Sequence, residues 1–138
     1  MIAYVDSSVL LRVVLGQPDS LSEWRTIERG VVSALVEVEC LRTLDRLRVA
    51  RGLPEAEVAL RREAVVRLLE SMEVVGVSTP ILRRASAPFP VTLGTLDALH
   101  LATALAWRDA IGEDLAMATH DAALGLAARA MGLVVAGC

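Results

Sequence analysis

Lysine is absent from this 138-residue chain, in which all 14 basic residues are arginine. Its absence removes every mechanism that needs a catalytic or phosphate-gripping lysine, the P-loop among them. Aromatic residues make up 3% of a chain that is 54% hydrophobic, so the core must be built from Ala, Val and Leu. Such a core favours helices packed closely on a sheet. The only cysteines, Cys40 and Cys138, are far apart and have no CxxC or histidine-rich partner motif, which argues against a disulfide frame or a zinc site and for free thiols. No apolar run approaches the roughly 18 to 20 residues of a membrane span, and "MIAYVD" lacks the basic region of a signal peptide. A cytoplasmic protein without membrane contact is expected. The net charge of −3 argues against broad electrostatic capture of nucleic acid and leaves room for a local arginine patch.

What is present reads as strands alternating with helices. "MIAYV" is apolar and β-favouring, and "DSS" after it supplies helix-capping residues for a helix that runs to Gly16 and Pro18. "PDSLSEWRTIERG" reads as a second capped helix, "VVS" at 31–33 as a strand, and Ala34 to Arg51 as a long helix closed by Gly52. Pro54 opens a helix to about Ser71, with Glu57 to Arg61 and Glu63 to Arg67 in the favourable i,i+4 order. "MEVVGVS" is a third strand, Thr79 to Ala87 a short helix, and "PFPVTLG" a proline-broken loop. Thr95 to about Ala110 is helical, "DLAMAT" a fourth strand, Asp121 to Met131 a last helix and "LVVA" a closing strand. The alternation predicts one α/β domain over residues 1–138, a parallel sheet covered by helices on both faces.

Ligands of such sheets sit beyond the carboxyl ends of the strands. Asp6 directly follows the first strand, and Asp121 follows the fourth by way of Thr119 and His120. Asp97 starts the helix that enters the fourth strand, so its distance from the other two depends on tertiary folding. Each of these aspartates alone is explained by helix capping and by the helix dipole, which favours a negative charge there by about 0.3 to 1 kcal/mol. Together they form a set of hard oxygen ligands suited to Mg²⁺ or Mn²⁺. The long helix adds Glu37 and Glu39, which lie about 160° apart around its axis, so only one can face a given site. Glu39 shares a stripe with Leu35, Arg42 and Arg46. On that stripe it either pairs with Arg42 at the surface, a weak interaction, or faces a metal with the arginines at a phosphate or at neighbouring acids.

Four segments together resemble a PIN-domain protein of the VapC type, the ribonuclease toxins of bacterial and archaeal toxin–antitoxin pairs. These are "YVDSSVLLR", "VVSALVEVECLRTL", "TLDALHLATAL" and "MATHDAALGLAARAMGL", in the family order and spread over nearly the whole chain. "DSS" is weak by itself, whereas "LDALHLATAL" followed by Thr-x-Asp is specific. The resemblance implies a three-layer α/β/α domain with strand order 3-2-1-4-5 and a Mg²⁺-dependent endoribonuclease, with Mn²⁺ as a substitute. It makes Asp6 and Asp97 the principal metal ligands, Glu39 and Asp121 the completing acids, and Ser7 and Thr119 hydroxyl supports. The resemblance implies Glu39 rather than Glu37, since Glu39 falls six residues after Ser33 and precedes "CLRTL" as the family pattern expects. A cognate antitoxin, a homodimer, and contact with DNA only through an antitoxin complex are the partners it implies.

His100, three residues after Asp97 in a run of Leu and Ala, reads first as a packed residue bonded to a neighbour, and secondarily as a group orienting Asp97. His120 is expected to point away from whatever Asp121 faces. Trp24 and Trp107 read as core or interface, being too far apart in the chain for a base-stacking platform. The apolar helices expected at 19–29 and 54–71 offer a groove for an amphipathic partner helix. Among the rivals, a receiver or dehalogenase-like phosphotransfer protein fits poorly without lysine and with Ser8 where a second Asp belongs. A non-cleaving PIN-like scaffold that binds metal or RNA, and a DNA nuclease, share the same architecture and are separated only by assay.

Overall fold

In a computed structural model that describes residues 1–138, five strands form one parallel sheet in the order β3-β2-β1-β4-β5. The strands are β1 (Ile2–Val5), β2 (Arg29–Ser33), β3 (Glu73–Val75), β4 (Ala116–Ala118) and β5 (Val134–Ala136). The helices are α1 (Ser7–Val14), α2 (Leu35–Arg51), α3 (Glu55–Glu70), α4 (Thr79–Ser86), α5 (Thr95–Ile111) and α6 (Ala122–Ala130). Parallel pairing and helices on both faces are as the strand–helix alternation predicts, and the strand order is the one the family resemblance implies.

Alternation along β1 divides the core. Ala3 and Val5 face one layer, where Val9, Leu10, Val36, Cys40, Leu44 and Val65 from α1, α2 and α3 pack. Tyr4 faces the other, against Leu101, Leu105, Trp107, Leu124 and Ala127 from α5 and α6. With so few rings, small residues such as Ala102, Ala104, Ala127 and Ala128 reach zero exposure and let the helices lie close to the sheet. The i,i+4 pairs on α3 form as read, Arg61 to Glu57 at 3.5 Å and Arg67 to Glu63 at 2.6 Å.

One predicted element does not form. Residues 18–30, read as a capped helix, are turns with a single 3₁₀ turn at Trp24–Thr26 before β2 begins at Arg29. The segment has few apolar residues, and each is pinned separately: Leu21 is buried, while Trp24 and Ile27 pack at the edge of the first core layer. Arg12 holds Asp19 through both its backbone oxygen, at 3.2 Å, and its carboxylate, at 2.6 Å. Tertiary anchoring therefore outweighs a weak helical preference. The partner groove expected at 19–29 and 54–71 lacks its first wall for the same reason.

The chain adds strands on one side of β1 and then crosses to β4 on the other, so the strand order reverses at β1 and β4. The Asp6 amide extends the ladder past the end of β1, bonding the Ala118 carbonyl at 3.0 Å. Asp6, Thr119 and Asp121 thus come together at the switch point, the ligand position of open α/β sheets.

Candidate active site

Asp6 is the N-terminal flanking residue of α1, yet its carboxylate makes no capping bond. Its Oδ2 instead accepts from Ser8 Oγ at 2.7 Å and from Thr119 Oγ1 at 3.0 Å, and Ser7 Oγ lies 3.5 Å from Oδ1. Only 4% of Asp6 is exposed. A carboxylate buried to that degree requires such donors. Asp121 keeps the structural role, its Oδ1 accepting from the Leu124 amide at 2.9 Å, while Thr119 Oγ1 accepts from the Asp121 amide at 3.0 Å. Gly137 secures Thr119 from behind: at φ 102°, a Cβ there would collide with the Thr119 carbonyl.

Packing gives Glu37 and Glu39 different surroundings. Glu37 is exposed, whereas Glu39 Oε1 lies 2.6 Å from His100 Nε2 and Oε2 accepts from Ser7 Oγ at 3.3 Å. His100 is fully buried, its Nδ1 2.6 Å from the Tyr4 hydroxyl and its Nε2 3.7 Å from Asp6 Oδ1. Burial pulls its pKa down. The Glu39 hydrogen bond and the charges of Asp6, Glu39 and Asp97 more than reverse that, leaving it above the ordinary imidazole value. His100 is therefore a packed histidine as read, but it orients Glu39 rather than Asp97.

Asp97, in the first turn of α5, is half-buried. Burial first, then the negative charges of Asp121, Asp6 and Glu39, push its carboxyl above the ordinary range, against the pull of His100. No hydrogen bond is among those causes. β1, α2, α5 and the β4–α6 junction thus carry Asp6, Glu39, Asp97 and Asp121, with Asp97 one turn before the His100 that contacts Glu39 and Asp6.

Tyr4, Ser8 and the Glu39-directed role of His100 are the additions to the set read from sequence. Ser8 also accepts from the His120 amide at 3.0 Å, tying α1 to the loop after β4. Its signal was the second serine of "DSS"; Tyr4 gave none, since a strand tyrosine reads as core. His120 bonds the Gly137 carbonyl through Nδ1 at 3.0 Å, away from the acids as expected.

No three acid, histidine or cysteine side chains close into a metal cage. Of these acids Asp6, Glu39 and Asp121 are held by hydrogen bonds, and the Asp97 carboxylate has no such partner. That donor set fits a hydrated dication such as Mg²⁺, which keeps several waters and takes one or two carboxylates directly.

An acid-edged, three-layer α/β/α domain of this strand order is the class that fold and site define. The PIN domain family profile matches residues 3–128. Ribonuclease VapC46 of Mycobacterium tuberculosis is 34% identical over 136 residues, covering 96% of this chain and 94% of that protein. Two solved structures share the fold. FitAcB from Neisseria gonorrhoeae aligns with a TM-score of 0.72 at 15% identity, covering 97% of this chain and 96% of that one. VapBC2 from Rickettsia felis, bound to a DNA fragment from its promoter, aligns with a TM-score of 0.66 at 13% identity, covering 98% and 97%. The chain belongs to the PIN-domain family, as a member of the VapC type.

Proposed function

We propose that this protein is an endoribonuclease that hydrolyses RNA phosphodiester bonds with Mg²⁺, and that it is the toxin of a toxin–antitoxin pair acting in the cytoplasm. The observation that carries this reading is that His100 on α5 meets both Glu39 of α2 and Asp6 after β1, with Asp97 one turn before it on the same helix and Thr119 joining Asp6 to the loop of Asp121 at the sheet's switch point. The name of the Mycobacterium relative supports RNA as the substrate.

In this reading Asp6 and Asp97 hold the ion, with Glu39 and Asp121 completing its surroundings. When bound, the ion lowers the pKa of water, polarises a phosphoryl oxygen and offsets charge on the leaving oxygen. The protein's part is to hold its oxygens in place before the ion arrives. Ser8 and Thr119 fix Asp6, His100 and Ser7 fix Glu39, and the Leu124 amide fixes Asp121. Asp97 is restrained by its helix alone, and its repulsion from the other acids is relieved by a cation.

An antitoxin is the expected protein partner. A cleft of about 450 Å³ between α1 and α3, lined by Val13, Val14, Leu60, Ala64 and Leu68, offers an apolar seat for an amphipathic helix. Contact with DNA would come through such a complex, and the free toxin is expected to be a homodimer. The deciding experiment incubates wild type and Asp97→Asn with total RNA, with Mg²⁺ or with EDTA. Fragments made only by wild type with Mg²⁺ support the reading; identical RNA profiles in all arms favour a non-cleaving scaffold.

A further inference from the structure

A second cleft, of about 340 Å³, opens directly beside the acids and is lined by Ser7, Glu39, Arg42, Thr43, Arg46 and Leu96, among others. Glu39, Arg42, Thr43 and Arg46 stand at i, i+3, i+4 and i+7 on α2, so they form one stripe. Arg42 lies roughly 4.5 Å and Arg46 roughly 10 Å along the axis from the site acid.

Both guanidiniums are exposed, and neither is in an ion pair. Asp45, the acid next to Arg46 in the chain, is taken by Arg48 at 2.9 Å. Arg46 donates only to the Thr43 hydroxyl, at 2.8 Å. Glu39, the natural partner of Arg42 three residues on, is held by His100 and Ser7 instead. Arg42 and Arg46 therefore stand four apart as like charges over an open cleft, an arrangement that a bound anion relieves.

We infer that Arg42 and Arg46 bind the phosphates of a single-stranded RNA running along α2 into the acidic edge; this rests on the ribonuclease reading of that edge. Arginine is suited to the task because its planar fork bonds phosphate oxygens bidentately and remains charged. A chain of net charge −3 has no general attraction for RNA, so affinity must come from a local track of this kind. Leu96 and Val38, both exposed, give the cleft apolar walls for the sugar and base faces.

The test measures binding of a short fluorescein-labelled single-stranded RNA of mixed sequence to Asp97→Asn protein in Mg²⁺, across a NaCl series. Arg42→Gln and Arg46→Gln are each expected to weaken binding several-fold and to reduce the slope of log K against log salt by about 0.7, the value for one lost phosphate contact on a single strand. Arg62→Gln, exposed on α3, serves as the control and should leave the slope unchanged. With Asp97 intact, the same α2 variants should raise KM and spare kcat. An unchanged slope and KM in the Arg42, Arg46 double variant, in a protein that still cleaves RNA, overturns the track and leaves the ribonuclease reading standing. Wild type that neither binds nor cleaves RNA overturns both.

Discussion

His100 Nε2 lies 2.6 Å from Glu39 Oε1, while the other ring nitrogen lies 2.6 Å from the hydroxyl of Tyr4, a residue in the middle of the central strand. A buried histidine thereby passes the rigidity of the sheet to an acid on a different helix. With His100 neutral, Tyr4 donates to Nδ1 and Nε2–H donates to Glu39; with it protonated, both nitrogens donate and Tyr4 accepts. Glu39 is held in either state.

Tyr4→Phe removes one member of this chain and leaves His100 Nδ1 without a partner in a site where no water reaches it. A loss of about 1 to 3 kcal/mol in urea unfolding is expected, together with slower RNA cleavage as Glu39 loses its fixed position. Unfolding curves that superimpose on wild type would show that the hydroxyl bond contributes nothing.

Asp97→Asn should act in opposite directions on stability and activity. It takes one charge out of a mutually repelling group, so the metal-free protein should gain stability, less what the helix dipole gives a charge in the first turn of α5, while cleavage is lost. Mg²⁺ should raise the wild-type Tm and raise that of the variant less. Thermal melts with EDTA and with saturating Mg²⁺ check both, and a wild-type midpoint that ignores the ion would count against a cation at this edge.

At the far side of the sheet, Trp107 Nε1 donates to Glu73 at 2.9 Å, and Arg29 bonds the same carboxylate and lies 5.1 Å over the indole ring. The indole bond holds the Glu73 carboxyl below its ordinary range, against the opposing effect of burial and with further help from Arg29. A folded-state pKa below the unfolded one contributes stability above the ordinary glutamate value and loses it as pH falls through the lower folded value. Acid titration of a Trp24→Phe protein, followed by Trp107 emission, should show a transition below the usual glutamate pKa. In Glu73→Gln that transition should vanish.

Cys40 is fully buried against the sheet, and burial with the nearby Glu39 and Asp6 charges pushes its thiol up to about 12. Cys138 is exposed. Alkylation at mildly alkaline pH should therefore modify one thiol in the native protein and both in denaturant; two fast-reacting thiols without denaturant would contradict the packing of α2.

Much of this molecule is legible along the chain because the relevant physics is local. The alternation of "MIAYV" with "DSS", the glycine closing α2, and the apolar runs at 116–118 and 134–136 each depend on residues close in sequence. Asp6, Asp97 and Asp121 stand out for the same reason: they occupy helix starts. The family resemblance then supplied the strand order, and within it "VVSALVEVECLRTL" supplied Glu39 over Glu37. The failure at residues 18–30 is equally instructive, since Arg12 and the first core layer override a segment whose own preferences are weak.

Sequence alone determined the layered architecture and the presence of acids at the strand ends, because side-chain period and cap chemistry act over a few residues. Only the tertiary structure decided that Asp6 is released from capping, that Glu39 answers to His100 and Tyr4, and that Arg42 and Arg46 are left free beside them. Those outcomes come from bonds between residues up to 113 positions apart in the chain, and no local pattern encodes which distant partner claims a carboxylate first.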